Sequence, residues 1–156
     1  MLEISIPGFP EIKLTDLVLD YNGTLALDGK LIEGVADRLQ KLSDQLRIHI
    51  LTADTFGNAA AGVAGLPGEL SILGQGDQAQ AKLDYIKEIG PVGVVSIGNG
   101  RNDRLMLEGS VLSIAVIQSE GAGVETLTSA NVVVPSILDA LDLLSHPQRL
   151  VATLRS

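Results

Sequence analysis

Short apolar runs that end on a polar or glycine-rich corner recur along this chain, and the segments between them carry helical periodicity. That alternation restricts the fold more than any other feature. Leu14 to Leu19, Ile48 to Leu51, Ser71 to Leu73, Val92 to Ile97, Leu112 to Val116 and Val132 to Val134 read as strands. Between them, Glu33 to Leu46 places Val35, Leu39, Leu42 and Leu46 on one helical face. Asp77 to Ile89 does the same with Ala79, Leu83, Ile86 and Ile89. Shorter helices are expected over Phe56 to Val63, with Asp54 or Thr55 as its cap, and over Leu105 to Leu107, Val124 to Thr128 and Ile137 to Leu144. Strand, helix and strand in this order imply right-handed crossovers and a mostly parallel sheet between two helical layers. The expected class is therefore α/β, a three-layer Rossmann-like fold, with residues 1–156 forming one domain.

Three segments stand outside that pattern. Leu2 to Ile6 alternates apolar and polar residues before Pro7-Gly8, as a short edge strand would. Asp28-Gly29 lies between apolar pairs, the signature of a tight hairpin over residues 25–32. His146-Pro147 opens a segment, 147–156, that reads as a loose tail.

Composition removes several functions. The absence of cysteine excludes thiolate nucleophiles, disulfides and Cys-ligated zinc. A net charge of −8 opposes non-specific binding to nucleic acid or anionic lipid. No apolar run approaches the roughly 18 residues of a membrane span, and Met1-Leu2-Glu3 lacks a basic leader, so a cytoplasmic protein is expected.

Polar residues with chemical potential gather where strands end. Asp20 follows Leu17-Val18-Leu19, Thr52 follows Ile50-Leu51, and Asn99, Asn102 and Asp103 lie in the corner after Ile97-Gly98. In open α/β sheets this edge is where ligands bind. Asp20, Asp103 and the amide of Asn99 are hard oxygen donors suited to Mg²⁺ beside a phosphate. Thr52, Lys82 and the backbone N–H groups after Asp20 suit a transferring phosphoryl group. Taken singly, each has a plainer reading: Thr52 as a cap hydroxyl, Lys82 as a solvated helix face, Asn99 to Asp103 as turn formers. His49, inside an apolar strand, reads as a satisfied core or edge histidine and His146 as a neighbour of the tail, so neither joins the site.

In sequence order, Asp20-Tyr21-Asn22-Gly23-Thr24, Thr52, Lys82 and Gly98-Asn99-Gly100-Arg101-Asn102-Asp103 resemble the four motifs of the haloacid dehalogenase (HAD) superfamily. Leu51-Thr52-Ala53-Asp54-Thr55 and Ser129-Ala130-Asn131-Val132-Val133-Val134 are similar to segments of the phosphorylation domain of P-type ATPases. The resemblance implies a Mg²⁺-dependent hydrolase of a small phosphorylated molecule that works through an aspartyl phosphate. Asp20 would be the nucleophile and a metal ligand, and Asn22 would lend the metal its backbone carbonyl. Thr52, Ala53, Lys82 and Asn102 would hold the phosphoryl group and its loop, and Asn99 and Asp103 would complete the metal shell. With only the hairpin where relatives carry a cap or a nucleotide-binding domain, the resemblance implies a capless protein whose open site is covered in a homo-oligomer.

Two departures bear on activity. Most phosphatases of the superfamily carry an aspartate two residues after the nucleophile, and Asn22, an amide, cannot exchange that proton. General acid–base catalysis contributes roughly 10²- to 10⁴-fold, so slow turnover is expected. Asn99 also stands where aspartate is usual, which weakens the metal site by one charge. These amides keep a second reading open: a non-hydrolytic phospho-acceptor or regulatory module. A response-regulator receiver is disfavoured, because its phospho-acceptor follows the third strand.

Overall fold

Leu17, Val18 and Leu19 are wholly buried because their strand lies inside a sheet covered on both faces. The computed structural model describes residues 1–54 and 57–156. In chain order the strands are β1 (Leu2–Ile4), β2 (Ile12–Leu14), β3 (Asp16–Asp20), β4 (Ala26–Leu27), β5 (Lys30–Leu31), β6 (Arg47–Thr52), β7 (Glu69–Ile72), β8 (Val94–Gly98), β9 (Leu112–Val116) and β10 (Val132–Val134). Six of them form the central sheet in the order β10-β9-β8-β3-β6-β7, and every neighbouring pair is parallel. The helices are α1 (Val35–Leu42), α2 (Asn58–Val63), α3 (Gln78–Ile89), α4 (Arg104–Gly109), α5 (Val124–Ser129), α6 (Ile137–Ser145) and α7 (Pro147–Leu154).

Side-chain alternation along the strands sorts the helices into two layers. Leu17, Leu19, Ile48, Ile50, Val95 and Ile97 pack with Val35 and Leu39 of α1 and with Ile137 and Leu141 of α6. Val18, Leu51, Val94 and Ala115 face the other way, onto Ile86 of α3 and Met106 and Leu107 of α4. The three-layer α/β arrangement expected from the sequence is the one observed.

Several local expectations need correction. Leu2 to Ile6 does not edge the main sheet: β1 pairs antiparallel with β2 in a ribbon of its own, and Thr15 separates β2 from β3. Residues 147–156 are no loose tail, since α7 buries Leu150, and Ser156 N–H donates to Pro7 O at 3.1 Å. Pro147 at the first turn of α7 starts that helix, a position where its missing N–H costs nothing. α1 is shorter than its periodicity suggests, starting after Gly34 in the left-handed region (φ 92°) and ending at Leu42 with Ser43 as its C-cap, although Leu46 is still buried. The expected cap at Thr55 and helix start at Phe56 lie outside the described residues. Asp54 does accept from Ala59 N–H of α2 at 2.9 Å.

The 25–32 hairpin is present: β4 and β5 pair antiparallel, with Asp28 (φ 51°) and Gly29 (φ 79°) as the two turn residues.

Candidate active site

Parallel register brings the polar corners together. Asp20 at the end of β3 is paired with Leu51 of β6, one residue short of Thr52, and Leu19 is paired with Ile97 of β8, two residues short of Asn99. α3, on the face opposite α1, carries Lys82 beneath this edge.

Lys82 is 1 % exposed, so the reading of it as a solvated face residue fails. Its Nζ donates to Asp20 Oδ1 at 2.7 Å and to Asp103 Oδ1 at 2.6 Å, and lies 3.5 Å from Asn102 Oδ1. Asp103, wholly buried, spends its other oxygen on the N–H groups of Asn99 (3.0 Å) and Gly100 (2.9 Å). One carboxylate therefore fixes both the lysine and the corner after β8. Gly98 permits this, because a methyl group there would lie 2.5 Å from Asp103 Cγ.

Burial works against the charge on Lys82, but Asp20 and Asp103 outweigh it and hold the ammonium well above its ordinary value. For Asp20 the balance tips the other way: burial, reinforced by Asp103, raises it to about 7 in spite of the Lys82 and Thr24 hydrogen bonds. Two carboxylates share one ammonium, so one negative charge is left uncompensated in a low-dielectric corner.

That charge and the orientation of Asn99 fit a cation. Asn99 Nδ2 donates to Gly121 O at 2.9 Å, which leaves Oδ1 facing the Thr24 hydroxyl beside Asp20. The Thr24 hydroxyl lies 3.0 Å from Asp20 Oδ2 and 3.2 Å from Asn99 Oδ1. It has one proton for two acceptors. One of these oxygens is short of a donor at any moment, a demand that a hard cation meets. Among the described residues no three His, Cys, Asp or Glu side chains converge as a metal cluster. A cation here would rest on at most two carboxylates plus neutral oxygens, which is how Mg²⁺ is commonly held.

A cleft of about 450 Å³ opens over these groups, lined by Asp20, Asn22, Thr52, Ala53, Lys82, Asn99 and Asn102. The same cleft is lined by Gly100, Arg101 and Glu120. Of the residues singled out in the sequence, only Asp103 does not line it. Thr52 Oγ1 accepts from Asp54 N–H at 3.1 Å, which holds the hydroxyl in place. A larger cavity of about 750 Å³ lies at the opposite edge, around Thr15, Arg47 and His49. Its polar groups satisfy one another: His49 bonds Asp16 and Tyr85, each at 2.8 Å, as a satisfied histidine should.

Three residues went unassigned in the sequence. Thr24 lies within the first motif, four residues past Asp20, and its hydroxyl role was available there. Gln118 and Glu120 lie in the loop after β9 and carry no local signal. Gln118 Nε2 donates to Gly23 O (2.9 Å) and Thr24 O (2.7 Å), tying that loop to the loop that follows Asp20.

No family model matches this chain. The uncharacterised protein MJ0073 of Methanocaldococcus jannaschii is 43% identical over 84 residues, covering 51% of this chain and 90% of that protein. MJ0072 of the same organism is 54% identical over 39 residues, 25% of this chain and 89% of that protein. The chain and MJ0073 belong to one family. Among solved structures, a candidate HAD family hydrolase from Streptomyces avermitilis superposes with a TM-score of 0.66 at 22% identity, covering 97% of this chain and 90% of that one. The cobalt-bound deoxy-D-mannose-octulosonate 8-phosphate phosphatase of Haemophilus influenzae gives 0.72 at 15% identity, with coverages of 92% and 94%.

The chain has the HAD fold without a large cap. A third HAD-fold structure, the 3-deoxy-D-manno-octulosonate 8-phosphate phosphatase of Moraxella catarrhalis, was solved with magnesium, phosphate and KDO. It superposes at a TM-score of 0.66 and 18% identity, covering 92% of this chain and 94% of that one. No helix among the described residues is long and apolar enough to cross a membrane.

Proposed function

We propose that this HAD-fold chain hydrolyses small phosphate monoesters through an aspartyl phosphate on Asp20. The observation that carries the reading is the convergence of Asp20, Thr52, Lys82 and Asn99 on one cleft at the carboxyl edge of the sheet. Its likeness in fold to phosphatases of phosphorylated sugar acids supports it.

The side chains divide the work. Asp20, at the floor of the cleft, attacks phosphorus in line as the ester P–O bond breaks. Lys82 has three N–H donors, of which Asp20 and Asp103 take two; the third, 3.5 Å from Asn102 Oδ1, would pass from that amide to a phosphoryl oxygen. Thr52 Oγ1 and the backbone at Ala53 flank the same oxygens, and Asn102 braces the rim. Mg²⁺ is the cation that suits Asp20, Asn99 and the Asn22 carbonyl, and when bound it offsets the repulsion between the nucleophile and the phosphate. Asp103 supports that site by anchoring Lys82 and the Asn99 loop, and reaches a metal only by releasing one of those partners. Asn22 neither gives nor takes a proton, so turnover is slow unless another group of the site does so. The motif likeness to P-type ATPases, which also lack the acid, supports a reading near that branch. A non-hydrolytic phospho-acceptor is the reading that Asn22 favours as second.

Hydrolysis of an aryl phosphate with and without Mg²⁺ tests this. Mg²⁺-dependent turnover that Asp20→Asn abolishes and Asn22→Asp raises is expected. No Mg²⁺-dependent turnover in the wild type, and none gained with Asn22→Asp, would sink the hydrolase reading.

A further inference from the structure

We infer that Glu120 is the proton-transfer group of this site, in place of the acid that Asn22 cannot supply; the inference rests on the phosphatase reading above. Glu120 stands at the tip of a turn closed by Gly121 N–H donating to Gln118 O at 2.7 Å. That turn is fastened on two sides. Gln118 ties it to the backbone carbonyls of Gly23 and Thr24, and its Oε1 accepts from Ile137 N–H at 2.9 Å. Asn99 Nδ2 donates to Gly121 O, and Gly123 N–H donates to Asn99 O, each at 2.9 Å. The loop after β9 is thus braced against both the nucleophile loop and the Asn99 corner, and it delivers a carboxylate between them.

That carboxylate is directed over the site. A methyl group at Gly23 would lie 2.8 Å from Glu120 Oε2 and 2.7 Å from Asn99 Nδ2, so the Glu120 oxygen sits beside the residue that follows Asn22. Glu120, Asn22 and Asp20 line the same cleft. Among the described residues the Glu120 carboxylate has no hydrogen-bond or ion-pair partner. An unpaired, solvent-reached carboxyl group braced at the mouth of the cleft is free to move a proton.

The steps balance. As Asp20 attacks phosphorus and the ester P–O bond breaks, the Glu120 carboxyl gives its proton to the departing alkoxide. In the second half the Glu120 carboxylate takes a proton from water as the water oxygen attacks phosphorus. The bond from phosphorus to Asp20 then breaks, phosphate leaves, and Glu120 is again protonated.

Glu120→Gln keeps the shape and removes the proton, and two leaving groups separate its roles. A primary alkyl phosphate needs a proton on departure, whereas 4-nitrophenolate does not. The expected result for Glu120→Gln is a loss of roughly 10²- to 10⁴-fold on the alkyl ester. On 4-nitrophenyl phosphate the initial burst should be retained, with hydroxylamine-sensitive phosphoenzyme accumulating because its hydrolysis also lacks a base. Adding Asn22→Asp to the Gln variant should restore turnover. Wild-type rates on both esters with no added phosphoenzyme would overturn the inference while leaving the phosphatase reading intact. So would an equal loss on both esters with no label retained, which marks a structural role. No turnover and no phosphoenzyme in the wild type would overturn the phosphatase reading, and this inference with it.

Discussion

Lys82 Nζ lies 2.7 Å from Asp20 Oδ1, and the same ammonium is 2.6 Å from Asp103, so one cation is shared by two carboxylates. Stability and chemistry pull in opposite directions at this pair.

Removing the ammonium leaves two buried carboxylates facing each other. Lys82→Met is expected to lower the unfolding free energy by about 3–5 kcal/mol, the range for breaking a buried ion pair from one side. Urea denaturation at pH 7 measures it, and hydrolysis should be lost in the same variant.

Asp20 behaves in the opposite sense. Its carboxyl rises from 3.8 to about 7 on folding, so the folded state holds a proton that the unfolded state has released. Metal-free stability should therefore fall as pH rises from about 4 through about 7, each tenfold change in proton affinity being worth about 1.4 kcal/mol. Asp20→Asn should remove this slope, and above pH 7 it should be more stable than the wild type while inactive. Thermal melts across that window in chelator are the measurement; an unchanged slope in Asp20→Asn would refute the assignment.

Mg²⁺ should reverse that destabilisation. A cation that binds only the folded chain stabilises by about 2.7 kcal/mol at a hundredfold excess over its Kd. The rise in Tm with Mg²⁺ should vanish in Asp20→Asn. In Asn99→Asp the metal should bind more tightly by about tenfold, or 1.4 kcal/mol. The same variant should lose about 1 kcal/mol without metal, because its carboxylate replaces the N–H that reaches Gly121 O.

Gly98→Ala tests the close approach behind the site. The added methyl would lie 2.5–2.7 Å from three Asp103 side-chain atoms, and Asp103 is held on both oxygens and cannot retreat freely. A cost of about 1–3 kcal/mol is expected from overpacking. Activity should fall further than stability alone explains, since Lys82 moves with Asp103.

At the opposite edge, burial raises the Asp16 carboxyl, but hydrogen bonds from Thr15, His49 and Arg47 outweigh it and leave the group below its ordinary 3.8. Its contribution is present above that pH and lost as pH falls below it. Asp16→Asn should weaken the protein at pH 7 and flatten the acid limb of the stability curve, without changing catalysis by the distant site. Acid titration followed by circular dichroism checks both.

Much of this protein can be read from its residues in order. Strand and helix alternation depends on local periodicity, so the α/β class, the Asp28-Gly29 hairpin and the strands Leu112–Val116 and Val132–Val134 were all legible. So was the gathering of Asp20, Thr52 and Asn99 at one edge, because parallel strands put all their carboxyl ends on the same side. What local sequence could not decide was which neighbour each group meets. Lys82 and Leu83 differ by one step on α3, and only the packing of that helix against the sheet buried the lysine and left Leu83 partly exposed. α7 was hidden because its anchor, Leu150, needs α6 and the core beneath it. Glu120 is far from Asp20 in the chain and carries no motif. A loop tied by Gln118 and Asn99 brought it to the cleft, and long-range hydrogen bonds of that kind leave no periodicity to read.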